Sequence, residues 1–133
     1  MTGRPAADAR LPRERRLRTQ RHFRVVYQRG RRAAGQWLTV VALPRRADAD
    51  ASPRLGVSVS KDHGGAVRRN KLKRLLREAF RLERGRLPAG LDVVLIPRQR
   101  PDDFPLAALR AELVALARKA LAGGSERRRP PTP

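Results

Sequence analysis

Between Arg68 and Arg77 the chain crowds Arg68, Arg69, Asn70, Lys71, Lys73, Arg74 and Arg77 around a run of leucines. The chemistry open to these residues is the binding of a polyanion. Guanidinium forks bond two phosphate oxygens in parallel, ammonium groups act as compact point charges, and an amide both donates and accepts. Leu72, Leu75, Leu76, Ala79 and Phe80 recur at the i, i+3, i+4, i+7, i+8 spacing of a helix with one buried stripe. Each residue advances about 100° around the axis, so Asn70, Arg74, Arg77 and Arg81 fall opposite that stripe, with Lys71 and Lys73 on its flanks. Such a block of like charge repels itself on a free helix; it needs a core to pack on and an anion to neutralise it. Gly64 and Gly65 open the helix in a turn where backbone amides can approach phosphate.

A second pair suits a different contact. Phe23 and Tyr27 stand four apart, on one face of an expected helix, where rings can stack on bases or pack into a core. Residue types leave both readings open, with the tyrosine hydroxyl favouring water. Trp37 begins a strand and reads as packing. His22 and His63 are the only histidines and are far apart, with no carboxylates clustered between them, so neither is assigned a metal or a proton. Asp62 suits an ordinary turn carboxylate better than a helix cap or a metal ligand, and Asp102 and Asp103 read as caps of the last helix. No Ser-His-Asp set, Walker-type glycine loop or converging carboxylates appear, which assigns any bond-breaking chemistry to a partner.

Composition narrows that partner. The 133 residues carry 32 Lys plus Arg against 12 Asp plus Glu, a formal net charge of +20, and all the cations except Lys61, Lys71, Lys73 and Lys119 are arginine. A surplus of this size opposes compaction unless an anion is bound, and nucleic acid is the first expectation. The chain has no cysteine, hence no disulfide or thiolate zinc site. No signal peptide or membrane span is read, so a cytoplasmic location is expected. Membrane binding is set aside because the apolar stripe of the basic helix is needed for the core. A DNA-binding helix-turn-helix is set aside because strands, not a second helix, are expected on both sides.

The elements that must hold these residues follow from periodicity and punctuation. Residues 1–16 and 123–133 read as disordered basic arms around a single domain at 17–122. Thr19 can cap a helix at 20–29 that stops at Gly30. Residues 37–43 form a strand ended by Pro44, and 45–53 form a loop. Leu55, Val57 and Val59 alternate with Gly56, Ser58 and Ser60 as a half-buried strand, and 91–96 form a short apolar one. Asp103 is expected to cap a last helix with Pro105 in its first turn and Leu106, Leu109, Leu113 and Leu116 as its stripe. The order is α-β-β-β-α-β-α, an α/β (α+β) sandwich in which the basic helix crosses between the third and fourth strands.

RLGVSVSKDHGGAVRRNKLKRLLREAF, residues 54–80, and HFRVVYQRG, residues 22–30, resemble the protein subunit of bacterial ribonuclease P over about residues 17–120. That resemblance implies a two-layer sandwich on a four-stranded sheet with a left-handed βαβ crossover, as in the second domain of ribosomal protein S5, against the usual right-handed preference. It implies a non-catalytic subunit of an endoribonuclease whose catalytic RNA removes the 5′ leader of precursor tRNA, using Mg2+ held mainly by the RNA. The family's Arg-Asn-Arg motif falls on Arg69, Asn70 and Lys71, within an RNA-subunit face that also takes in Lys61, Arg68, Lys73, Arg74 and Arg77. Its leader cleft falls on Phe23 and Tyr27, with Ser58 and Ser60 from the sheet. Three positions depart from the family: Lys71 replaces the second arginine and loses the fork, Asp62 stands where a second lysine is usual, and Gly65 stands where asparagine is usual. The competing class is a general RNA-binding protein, ribosomal or chaperone in type, with the same charge and no cleft.

Overall fold

The computed structural model describes residues 20–45, 53–88, 90–99 and 103–123. The expected arms, the Thr19 cap, most of the 45–53 loop and Asp102 lie outside these residues. The first helix, α1 (Gln20–Arg29), turns Val26 into the protein and ends where the Gly30 amide donates to the Val26 carbonyl at 2.8 Å. A β-carbon at Gly30 would stand 2.7 Å from that carbonyl oxygen and 2.8 Å from Cγ1 of Val41, so glycine is required by close approach.

Four strands follow: β1 (Arg31–Ala34), β2 (Leu38–Pro44), β3 (Arg54–Val57) and, after the second helix α2 (Ala66–Glu83), β4 (Leu91–Pro97); α3 (Leu106–Leu121) closes the chain. Three strands were expected before the basic helix and only two could be placed. The third is β1, whose RRAA sequence shows no alternation and which is held by antiparallel pairing of Arg32 with Val41 and Ala33 with Val40. The order across the sheet is β1-β2-β4-β3, with β2 antiparallel to β4 and β3 parallel to it, so α2 is the crossover between neighbouring parallel strands.

Pleating sorts the side chains onto two faces. Val40, Ala42, Leu55, Val93 and Leu95 meet Leu72, Leu76, Ala79 and Phe80 of α2 and Leu109, Leu113 and Leu116 of α3 in the main core. Every residue of the α2 stripe read from the sequence is buried there except Leu75, which is half-buried. On the outer face Val41 and Val94 meet Val26 in a smaller cluster, so α1 covers only part of that face.

Two expectations need correction. The alternation of 55–60 outlasts the strand: after Val57 the last ladder contact is the Ser58 amide on Leu95 O at 3.0 Å, and by Ser60 the chain has entered the turn towards α2. Asp103 does not cap α3. The N-cap is Pro105, with no side-chain cap bond, and Asp103 stands two residues further back, behind the position whose side chain reaches the first turn's amides.

Candidate nucleic-acid interface

The basic face begins at a folded turn. Ser60 Oγ accepts from the Asp62 amide at 3.3 Å, a single 3-10 turn spans Lys61–His63, and the Gly64 amide donates back to Lys61 O at 3.0 Å. Gly64 then takes φ +114°, a conformation that L side chains rarely adopt, and swings the chain into α2. The first arginines of the helix brace this turn: Arg68 Nε donates to His63 O at 3.3 Å and Arg69 Nε to Gly64 O at 3.0 Å. Each guanidinium is thereby aimed by the backbone before any ligand arrives.

Along α2, Asn70 and Arg74 are exposed and the flanking Lys73 is half-buried, as the helical projection requires, whereas Arg77, expected opposite the stripe, is also half-buried. Lys61 is exposed on the turn itself. Lys71 lies on the flank towards α3, its Nζ 3.8 Å from Asp103 Oδ1, with both side chains largely exposed. A pair of this kind contributes little and leaves the face strongly positive. The acids of α2 are engaged elsewhere: Glu78 takes two bonds from Arg81, at 2.8 and 3.1 Å, and the buried Glu83 pairs with Arg110 at 2.5 Å. The structure therefore gathers Lys61, Arg68, Arg69, Asn70, Lys71, Lys73, Arg74 and Arg77 onto one turn and one helix.

The aromatic pair lies on the other face of the sheet. Phe23 and Tyr27 are half-buried, with ring centroids 6.5 Å apart and planes 19° apart. Phe23 packs on the outer cluster beside Leu43 and Ile96. The Arg32 guanidinium sits 4.9 Å from the centre of the Tyr27 ring and donates to the Tyr27 carbonyl at 3.2 Å. α1 rests on β2 and β4, and among the described residues the outer cluster takes nothing from β3. Gly56, paired with the outer-face Val94, lies on this side of the sheet, and Ser58 follows two residues on. Ser58 is half-buried. Ser60 is exposed, but its hydroxyl serves the turn that enters α2.

Sequence reading missed a third arrangement. The Glu112 carboxylate, on α3, accepts from the amides of Gln36, Trp37 and Leu38 at 2.8, 2.9 and 3.0 Å, capping the β1–β2 hairpin. Trp37 meets Phe104 edge-on, centroids 5.8 Å apart at 70°, and Phe104 stands 6.2 Å from the buried His63 ring. Nothing in local spacing links these positions. The buried Asp92 is also a purely tertiary feature, gripped by Arg54 at 3.0 and 3.1 Å and by Arg45 at 2.9 Å. Among the described residues, no three acids, histidines or cysteines lie together in a metal-binding arrangement, and no helix is long and apolar enough to cross a membrane.

Comparison with known proteins places this geometry. The family model described as Ribonuclease P matches residues 11–121. The chain is 40% identical over 111 residues to the ribonuclease P protein component of Desulfovibrio desulfuricans, covering 82% of this chain and 85% of that one. It is 37% identical over 105 residues to the same component from Finegoldia magna, covering 79% and 89%. Among solved structures it resembles the RNase P protein of Thermotoga maritima, with TM-score 0.65, 34% identity and coverage of 77% and 96%. The RNase P protein of Staphylococcus aureus gives TM-score 0.66 at 30% identity, with coverage of 80% and 94%.

Proposed function

The chain belongs to the ribonuclease P protein family, and we propose that it grips two RNAs at once, the catalytic RNA on the α2 face and the 5′ leader of precursor tRNA on the α1 face. Its role is that of the non-catalytic protein subunit of a bacterial endoribonuclease, with the ribonuclease P RNA as partner. The observation that carries the two-sided reading is the placement of the basic helix and the Phe23–Tyr27 pair on opposite faces of one four-stranded sheet.

On the α2 face, arginines aimed by the turn carbonyls meet phosphates, and binding weakens as salt rises because condensed counterions are released. On the α1 face, the half-buried rings and the arginine over Tyr27 offer stacking and cation–π contact to unpaired bases, with little dependence on base identity. Leader contact distinguishes precursor from mature tRNA, which lacks those nucleotides. Bond cleavage is assigned to the RNA subunit, where Mg2+ would supply water activation and stabilisation of the leaving oxygen. The protein's positive charge lowers the repulsion between the two polyanions and so lowers the magnesium they need.

The test is single-turnover cleavage of a 5′-labelled precursor tRNA by a bacterial ribonuclease P RNA at low magnesium, with and without this protein. Protein-dependent cleavage at the mature 5′ end is expected. Tight RNA binding without stimulation of a cognate RNA subunit would instead support a general RNA-binding protein.

A further inference from the structure

Beside the start of α2, edged by Arg68 and Lys71 of the RNA-docking face, is a cavity of about 320 Å³ whose interior has been given no role. Its apolar side is Leu72 and Leu75 of α2, and the rings of His63 and Phe104 also line it. Arg68, Lys71 and Asp103 complete the lining, and all three are exposed. We propose that this cavity takes one extruded base of the ribonuclease P RNA, stacked on Phe104, while Arg68 and Lys71 hold the flanking phosphates. The proposal rests on α2 docking against that RNA and names a specific contact within the docking.

Three observations favour an RNA base over other occupants. The volume is at the small end of the roughly 300–1,000 Å³ range of ligand pockets, with room for one base. The mixture of an apolar side, an aromatic ring, two cations and an acceptor carboxylate matches a nucleotide part by part. The base face meets the ring, the phosphates meet Arg68 and Lys71, and the exocyclic donors meet Asp103. The cavity also adjoins a helix already committed to polyanion, so a base leaving the RNA stack beside α2 has a short path into it.

The ring is held in place before binding. Phe104 packs edge-on against Trp37, and the Trp37 amide is fixed by the Glu112 carboxylate. The Arg98 amide donates to Trp37 O at 2.9 Å, and the Gln99 side chain donates to Gln36 O at 3.0 Å, tying β4 to the same hairpin tip. A braced ring loses little freedom when a base stacks on it, which favours binding.

The experiment uses the full-length protein and the intact ribonuclease P RNA. Affinity is measured across a salt series for the native protein, Phe104→Leu, Phe104→Tyr and Arg74→Glu, with dimethyl sulfate probing of the RNA in each complex. Phe104→Leu keeps the apolar packing but removes the stacking face. It is expected to weaken binding roughly ten- to a hundredfold with an unchanged salt slope, and to restore reactivity at one base that the native protein shields. Phe104→Tyr keeps the ring and is expected to behave as native. Melting curves set the assay temperature below the transition of every variant. Native affinity and an unaltered probing pattern for Phe104→Leu would overturn the base pocket, as would equal losses for Leu and Tyr. Unchanged binding and slope for Arg74→Glu would count against the α2 docking face instead, so the two failures are distinguishable.

Discussion

The protein carries two sets of rings on opposite sides of its sheet, and they are built in opposite ways. Phe23 and Tyr27 come from one helix, lie nearly parallel and have a guanidinium over one of them. Trp37, Phe104 and His63 come from a hairpin, the approach to α3 and a 3-10 turn, and meet at 70° and 51°. A pair on one helix keeps its mutual geometry wherever that helix goes. An assembled set exists only when the hairpin, turn and last helix are all docked, so its binding is coupled to stability where that of the helical pair is not.

The largest expected effect breaks this contrast at the Glu112 clamp. Glu112→Ala leaves the amides of Gln36, Trp37 and Leu38 without their acceptor, and water replaces it only in part because Leu38 is fully buried. We expect a loss of about 2–4 kcal/mol in urea unfolding followed by Trp37 fluorescence, with the Phe23–Tyr27 side retaining its packing. A loss below about 0.5 kcal/mol, in the range of ordinary surface substitutions, would show that the carboxylate does not hold the hairpin.

Next in size, ring by ring, is the replacement of Phe23 or Tyr27 by Ala. If these rings stack on leader bases, holoenzyme affinity for precursor tRNA should fall by about 1–3 kcal/mol per lost stack while affinity for mature tRNA stays constant. Equal weakening for both tRNAs would return the pair to a packing role. Charge reversal on the basic face comes third. Arg74→Glu and Arg77→Glu together should flatten the slope of log affinity against log salt by roughly 0.7–0.9 for each phosphate contact removed. The smallest effect is expected at the Lys71–Asp103 pair, where Asp103→Asn should change stability by no more than about 1 kcal/mol because both partners are solvated. A larger change would mean that Asp103 is structural and not merely a rim residue of the cavity.

How much the sequence disclosed follows the same division. α1 was bounded correctly because Phe23, Val26 and Tyr27 carry a helical period and Gly30 stops it. The basic helix was legible from its leucine stripe, and β4 from an apolar run closed by Pro97. In β1, RRAA has neither alternation nor β-branched residues, and antiparallel pairing with β2 makes it a strand. In 55–60 the alternation is real, but the partner strand's pairing stops first. Asp103 illustrates a cap read from spacing that Pro105 displaced. The ribonuclease P signature carried the residues of α2 and α1 because each lies on a single element. The Glu112 clamp and the Phe104 cavity had no local signal, because they join residues far apart in the sequence.

In the proposed function, leader recognition and RNA-subunit docking occupy separate faces of the sheet. The most direct test measures, for Tyr27→Ala and for Arg74→Glu, both affinity for the ribonuclease P RNA and the ratio of holoenzyme affinities for precursor and mature tRNA. Tyr27→Ala is expected to lower the ratio and leave RNA-subunit affinity intact, and Arg74→Glu to lower RNA-subunit affinity and leave the ratio intact. If either variant lowers both quantities together, the two faces are not separate.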